Sequence, residues 1–376
     1  MCTGNHRRRR AGTVLVFTLF MMIATIAMLA FAIDLGYVFV VRSELQRSAD
    51  AAALAAAWEL CDEISVGTNN DPMEAAELAR YTAGDYAGLN TVGGASPAMA
   101  YQDVDVGYLQ PDGETVSLVP SSLVAVQAHV RRTADQNGEV PLFFARLLGM
   151  NGSSAQAQST AVFVSNISGF RPPSSGENLD ILPFALDKET WDDLRDGIGT
   201  DDWTWNEELQ EVTPGPDGIL EANLFPQGTG SPGNRGTVDV GSNNNSTADL
   251  ARQILEGISA EDLEHHGGEL AFDENGELFL NADTGISAGV KDELAQIKGK
   301  PRTIFIFSQI AGNGNNAYYT IVHFTGMRIL DVKLTGNMSS KRVIIQPAKM
   351  AVRGGIRATG GTQTSSFVYS PVWLIH

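Results

Sequence analysis

Cysteine is scarce: Cys2 and Cys61 are the only two in 376 residues. No disulfide framework can therefore hold this fold. The two flank a charge-free apolar run, and if that run crosses a membrane they face different compartments and cannot pair within one chain. Cys61 then reads either as a buried structural thiol or as a bridge between two chains. The chain also lacks His-Glu-x-x-His, paired Cys-x-x-Cys, Gly-x-x-x-x-Gly-Lys-Ser/Thr and an EF-hand loop, so those zinc, nucleotide and calcium chemistries have no sequence signal. No cofactor is expected. Positive charge is thin as well. Beyond Arg42, 21 Lys and Arg stand against 43 Asp and Glu, a balance of −22 within a whole-chain charge of −18. Such a surface repels nucleic acid and anionic lipid, stays soluble and suits cations or basic partners.

What the chain does have begins at its N-terminus. Arg7, Arg8, Arg9 and Arg10 form a basic block, and Ala11 to Ile33 follows without one charge. As a helix those residues cover roughly 34 Å, enough for a hydrocarbon core. The arginines place the N-terminus in the cytoplasm and the bulk of the chain outside. Ala30-Phe31-Ala32 has the small-x-small form of a signal-peptide cleavage site, but the apolar run is longer than a typical signal core. Retained anchor and cleaved signal are the two readings, and the anchor is favoured. Asp34 closes the run and Tyr37 suits the headgroup layer. Asp34 marks the membrane exit or meets a neighbouring helix or its terminus.

The helical pattern then continues. Residues 42–60 contain neither Gly nor Pro, and Leu45, Ala49, Ala52, Ala53 and Ala56 recur at i, i+3, i+4 spacing. Small side chains in a stripe allow another backbone to approach closely, so this face is expected to be a helix-packing interface, within the chain or against a partner. The series of basic block, Gly12, apolar run, Asp34-Leu35-Gly36-Tyr37 and Leu45-Gln46-Arg47-Ser48-Ala49-Asp50 followed by Ala51–Ala57 resembles the N-terminal region of TadG-like proteins of the Flp (tight-adherence, Tad) pilus assembly system. Val124–Arg132, Val140–Gly149 and Ser154–Val164 are similar to the strand, short helix and strand that follow in that family. The resemblance implies a non-enzymatic protein of the bacterial inner membrane, single-pass, whose partners are pilin-like or pilus-assembly proteins, with a homo-oligomer left open. It carries over no catalytic residue. Prepilin-type processing is not supported, because the fifth residue after Gly12 is Phe17 and the run holds no glutamate. No Asp-x-Ser-x-Ser string marks an adhesion-type metal domain.

The expected fold class is α+β: a single N-terminal transmembrane helix extended into a long exterior helix, followed by a mainly antiparallel β-rich extracytoplasmic body. The expected divisions are a basic tail over 1–10, the transmembrane helix over 11–33, its continuation over 34–60, an α+β unit over 61–167, a linker over 168–176 and a mainly β region over 177–376. Within these, Met73–Tyr86 reads as a helix, Pro141–Leu148 as a short helix, Thr247–Gly257 as a helix capped by Ser246 or Thr247, and 268–282 as a hairpin about Asp273–Gly276. Arg302–Gln309, Ala317–His323, Met327–Leu334 and Arg342–Gln346 read as strands.

The remaining motifs are weak. Gly228–Gly233 matches G-x-G-x-x-G but no helix follows it. Gly285–Gly289 matches the nucleophile-elbow string around Ser287 without the surrounding parallel strand–helix units. His265 and His266 are adjacent, which on a helix points them about 100° apart. His323 is isolated in a strand. Asp201, Asp202 and the turn Pro214–Gly218 read as turn chemistry before calcium. Trp191, Trp203 and Trp205 form either a carbohydrate-stacking surface or a local core. The alternative function is therefore a membrane-tethered extracytoplasmic binding protein for a cation or carbohydrate, unrelated to pili, and a Ser287 hydrolase comes third.

Overall fold

The computed structural model describes residues 8–65, 72–121, 123–226, 235–242, 244–312, 317–359 and 362–375. Its first element is one unbroken helix, α1, Arg8–Ser65, of 58 residues, about 87 Å long. Every residue from Val14 to Ile33 except Ala30 is exposed. From Asp34 the same helix acquires a buried face: Val38, Val41, Leu45, Ala49, Ala52, Ala53, Ala56, Ala57 and Leu60. The change coincides with the end of the charge-free run, so the helix is lipid-like in composition where it stands alone and amphipathic where it packs.

A second helix, α2, Pro72–Leu89, turns back along α1. Its Ala75, Ala79, Ala83 and Ala87 are buried at i, i+4 spacing. Both helices cover one face of a five-stranded antiparallel sheet, ordered 116–117, 104–109, 123–132, 155–164 and 373–375. Alternate residues Val124, Val126, Ala128 and Val130 face the helices together with Ala161 and Phe163, the two-residue period of a strand with one face on a core. The last strand, Trp373–Ile375, comes from the far end of the chain and pairs with 160–162, so the C-terminus completes the N-terminal sheet.

Five of the remaining strands build a small barrel. Ala317–Lys333 pairs with Leu278–Asp283, then Gly236–Val238, Ile181–Asp187 and Pro301–Ala311, which pairs again with Ala317–Lys333 and closes the ring. Only the Ile181–Asp187 and Pro301–Ala311 pairing within the ring is parallel. All five strands send side chains to one cluster, including Ala185, Val238, Leu280, Phe305, Phe307, Tyr319 and Phe324, which makes that cluster the interior. Leu182, Phe184, Leu186, Ile304 and Ile306 point the other way and are covered by α3 (Lys188–Arg195), α4 (Thr247–Glu256) and α6 (Lys291–Gln296), with α5 (Ala260–Glu264) nearby. These strands are buried on both faces, which is why they read as near-continuous apolar runs.

The architecture is the expected α+β class: a long N-terminal helix followed by a β-rich body with antiparallel sheets and a small barrel. Several local expectations shift. Ala317–His323 and Met327–Leu334 are one 17-residue strand, because Phe324, Thr325 and Gly326 keep pairing with 303–305. The turn at Asp273–Gly276 exists, closed by the Asp273 N–H on the Glu277 carbonyl at 2.8 Å. Its flanks, Leu270–Ala271 and Leu278–Asp283, belong to different sheets and form no hairpin. Of the linker expected over 168–176, residues 168–170 lie in the strand Ile167–Phe170, paired with 270–271 and 355–357. The short helix expected over Pro141–Leu148 is replaced by the two-residue strand Val140–Pro141 and a 3-10 turn over Ala145–Leu148, with Pro141 opposite Gly152. Ser246 does cap α4, accepting the Asp249 N–H while the Asp249 side chain returns to the Ser246 N–H.

Candidate functional site

A set of specific contacts lies where α1 leaves its exposed run. Asp34 is buried, and its carboxylate accepts three consecutive backbone N–H groups: Phe143 at 2.7 Å, Phe144 at 3.0 Å and Ala145 at 2.7 Å. These are the unsatisfied donors that open the 3-10 turn. Burial works against the charge, but the three N–H donors and the nearby Arg146 guanidinium outweigh it and hold the carboxyl below the ordinary aspartate value. Tyr37, one turn further, meets the Phe143 ring edge-on at 5.2 Å. Asp34 and Tyr37 thus fasten the helix to a turn more than 100 residues away in sequence. Of the basic block, Arg7 lies outside the described residues. Arg8, Arg9 and Arg10 open α1.

Above this clasp the helix is held turn by turn. Glu44 accepts the Gly93 N–H at 2.7 Å. Gly93 has φ +57°, and a Cβ there would meet the Arg132 guanidinium at 3.2 Å and the Tyr37 hydroxyl at 3.4 Å, so only glycine allows the loop to lie this close. Arg132, buried, donates to the Val92 carbonyl at 2.6 Å and the Gly138 carbonyl at 2.8 Å. Ser48 donates to the Ala87 carbonyl of α2 at 3.2 Å, a side chain-to-backbone contact that only small neighbours permit. Leu45, Ala49, Ala52, Ala53 and Ala56 are fully buried in the core shared with α2 and the five-stranded sheet. The alanine face is occupied by this chain's own α2 and sheet. The alanine row on α2 was readable at positions 75, 79, 83 and 87 but gives no sign by itself of which helix it meets.

The other candidates are dispersed. Trp191 is buried beside His323, 6.1 Å between rings, while Trp203 and Trp205 sit on a separate two-stranded hairpin, with Arg328 over the Trp205 ring at 5.6 Å. The three tryptophans share no surface. Asp201 accepts the N–H groups of Asp217 and Gly218, both at 2.9 Å, which is turn closure. Ser287 accepts the Gly289 N–H at 3.2 Å and caps a 3-10 turn. His265 and His266 stand with their rings nearly perpendicular. Gly228–Gly233 lies outside the described residues. Among the described residues no group of three or more His, Cys, Asp or Glu is placed to hold a metal ion.

A cleft of about 640 Å³ runs between α3, the 272–277 turn and residues 358–359 and 362–364, and includes His323. Burial, with Arg195 and Lys188 nearby, pushes His323 down to about 4, so the ring is neutral at physiological pH. It hydrogen-bonds the Ser366 hydroxyl at 2.8 Å, and the backbone of Gln363 bonds the ring. A base this weak, without a hydrogen-bonded carboxylate to orient it, does not form a nucleophile triad. Arg235, buried, pairs with the partly buried Asp187 at the start of α3. Arg235 also donates to the Asn223 carbonyl at 2.6 Å, and Asp187 caps Thr190. These groups hold structure.

The comparisons fall on the N-terminal part. Residues 12–59 match the family model described as Flp pilus-assembly TadE/G-like, which is the exposed run of α1 and its clasped, alanine-faced continuation. Residues 55–161 match the model described as Tad-like Flp pilus-assembly, which covers the end of α1, α2 and most of the five-stranded sheet. No curated protein and no solved structure shows significant similarity to the chain. The Asp34 clasp, the alanine seam and most of the sheet they rest on lie inside residues 12–161, the stretch that is similar to the Flp/Tad pilus-assembly family.

Proposed function

We propose that this protein is a non-enzymatic, membrane-anchored component of Flp/Tad pilus assembly, or a minor pilus-associated structural protein, acting through protein–protein contacts. Residues 11–33 hold it in the inner membrane, Arg7–Arg10 stay in the cytoplasm and the body from Asp34 onward works outside. One observation carries the reading: a single helix is exposed on every side for the length of a bilayer core and then, without a break, becomes the central packed element of a folded body. A signal sequence removed at Ala32 would leave a chain starting at Ile33, one residue before a clasp that needs Asp34. The retained helix gives that clasp a continuous backbone.

The test is recovery of the C-terminally tagged protein from membranes of its host, with intact mass and identification of co-purifying chains. A full-length chain accompanied by pilin-like or assembly-platform proteins is the expected result. A soluble chain beginning near Ile33 and recovered alone would overturn it.

A further inference from the structure

We propose that the turn Leu142–Met150 is a second membrane contact, seated in the interfacial layer of the outer leaflet beside the exit of α1. This rests on the anchored reading above. The turn displays five large apolar side chains: Phe143 is 49 % exposed, Phe144 40 %, Leu147 84 %, Leu148 81 % and Met150 53 %. A folded body seldom leaves so dense an apolar group in water without a use for it.

Its position identifies what covers it. The backbone of Phe143, Phe144 and Ala145 is bonded to Asp34, the first buried residue after the exposed run, and Phe143 packs on Tyr37. Val14 to Ile33 spans about 30 Å as a helix, the thickness of a hydrocarbon core. The turn is therefore held at the level where that run ends. Leu35, Phe39 and Val40 of α1 are exposed as well, so the apolar surface continues upward from the membrane-spanning run. Charge points the same way. The exterior body is strongly acidic, yet no Asp or Glu occurs between Glu139 and Glu177, and Arg146 is the one charged residue of the turn. Aromatic and aliphatic side chains around a single arginine suit the headgroup layer. A lone helix leaves the body free to spin and tilt about its axis. Two adjacent points of insertion fix which face of the sheet and barrel looks along the membrane and which looks away.

The test uses the full chain, with Cys2→Ser and Cys61→Ala, reconstituted into phosphatidylcholine–phosphatidylglycerol vesicles. An environment-sensitive fluorophore is attached in turn at Phe17→Cys, Leu147→Cys, Leu148→Cys and Leu118→Cys. Leu118 is an exposed apolar control: it precedes the start of the strand Leu123–Arg132, whose other end lies by Gly93 and Tyr37. Spin-labelled lipids carrying the quencher near the headgroup or deep in the chain report depth. Expected are a blue shift and strong shallow quenching at Leu147 and Leu148, deep quenching at Phe17 and none at Leu118. Quenching at Phe17 with none at Leu147 and Leu148 overturns the second contact and leaves the anchor standing. A blue-shifted but unquenched Leu147 label overturns it in favour of a protein contact. Absence of quenching at Phe17 removes the anchored reading itself, and this inference with it.

Discussion

The two halves of the molecule bury their surface in opposite ways. The N-terminal half brings α1 and α2 together through alanines and lays them on an open antiparallel sheet, with Ser48 of α1 reaching the α2 backbone. The C-terminal half closes a ring of strands around aromatic rings. Phe324 stacks on Phe272 at 4.4 Å and meets Phe170 and Phe305 edge-on, and Phe307 stacks on Tyr319 at 4.4 Å. In the first half, stability comes from close backbone approach, and added volume is the danger. In the second it comes from filled volume, and lost volume is the danger. The family resemblance falls on residues 12–161, so the small-residue seam and its clasp lie within the matched stretch and the barrel lies outside it.

Substitutions that exchange the two packing styles test the contrast. The largest effect is expected from Phe324→Ala, which removes the fully buried ring that Phe170, Phe272 and Phe305 pack on and should lower the unfolding free energy by about 3–5 kcal/mol, read by denaturant titration of the detergent-solubilised chain. A cost below about 1 kcal/mol would mean the barrel is not packed around this ring. Next comes Arg235→Met, which leaves the partly buried Asp187 without its charged partner and should cost about 2 kcal/mol. The double variant Arg235→Met with Asp187→Asn should recover part of that loss in the same titration. Ala53→Leu forces volume into the seam and should cost about 1–3 kcal/mol. Hydrogen exchange should then rise along α2 and the 104–164 sheet and stay unchanged at barrel amides; a loss spread evenly over both halves would erase the distinction.

The smallest effect is a pH dependence confined to the barrel side. His323 is depressed to about 4 in the fold by burial, whereas an unfolded histidine titrates near 6.5. Its contribution is therefore fully present above about pH 6.5 and is lost as pH falls towards 4, because the unfolded chain takes up the proton first. Replacing His323 by Asn should flatten stability over that window, and an unchanged slope would place the titration elsewhere. Asp187, held low by Arg235 against its burial, loses its contribution further down, as pH falls through and below the ordinary carboxylate range.

Much of the N-terminal half could be read directly. The charge-free run, the alanine spacing and Asp34 at their junction are local patterns, and a helix turns a local pattern into a face whatever else the chain does. Nothing local shows that Asp34 meets Phe143, Phe144 and Ala145, because those donors exist only once Pro141–Gly152 has folded back beside α1. The alanine stripe likewise declared a close neighbour without naming α2. On the C-terminal side the strands were visible and their partners were not. Leu270–Ala271 and Leu278–Asp283 flank a good turn signal yet enter different sheets, since the flanking apolar residues fit several sheets equally well and the three-dimensional ring selects among them. The tryptophans and Ser287 show the reverse case: sequence proximity suggested sites, and packing separated Trp191 from Trp203 and Trp205 and made Ser287 a cap.

By itself the sequence determined that the chain begins with a bilayer-length helix, that this helix continues into an alanine-faced segment, and that a strongly acidic, β-rich body without a disulfide framework follows. Those properties are set by composition and short periodicities, which act through neighbouring residues. Only the tertiary structure decided that Asp34 clasps the 143–145 turn, that the last strand completes the first sheet, and that five strands drawn from residues 181–333 close into one barrel. Those outcomes depend on pairings across tens to hundreds of residues, where many partners are chemically equivalent and only the combined packing of the whole chain distinguishes one from another.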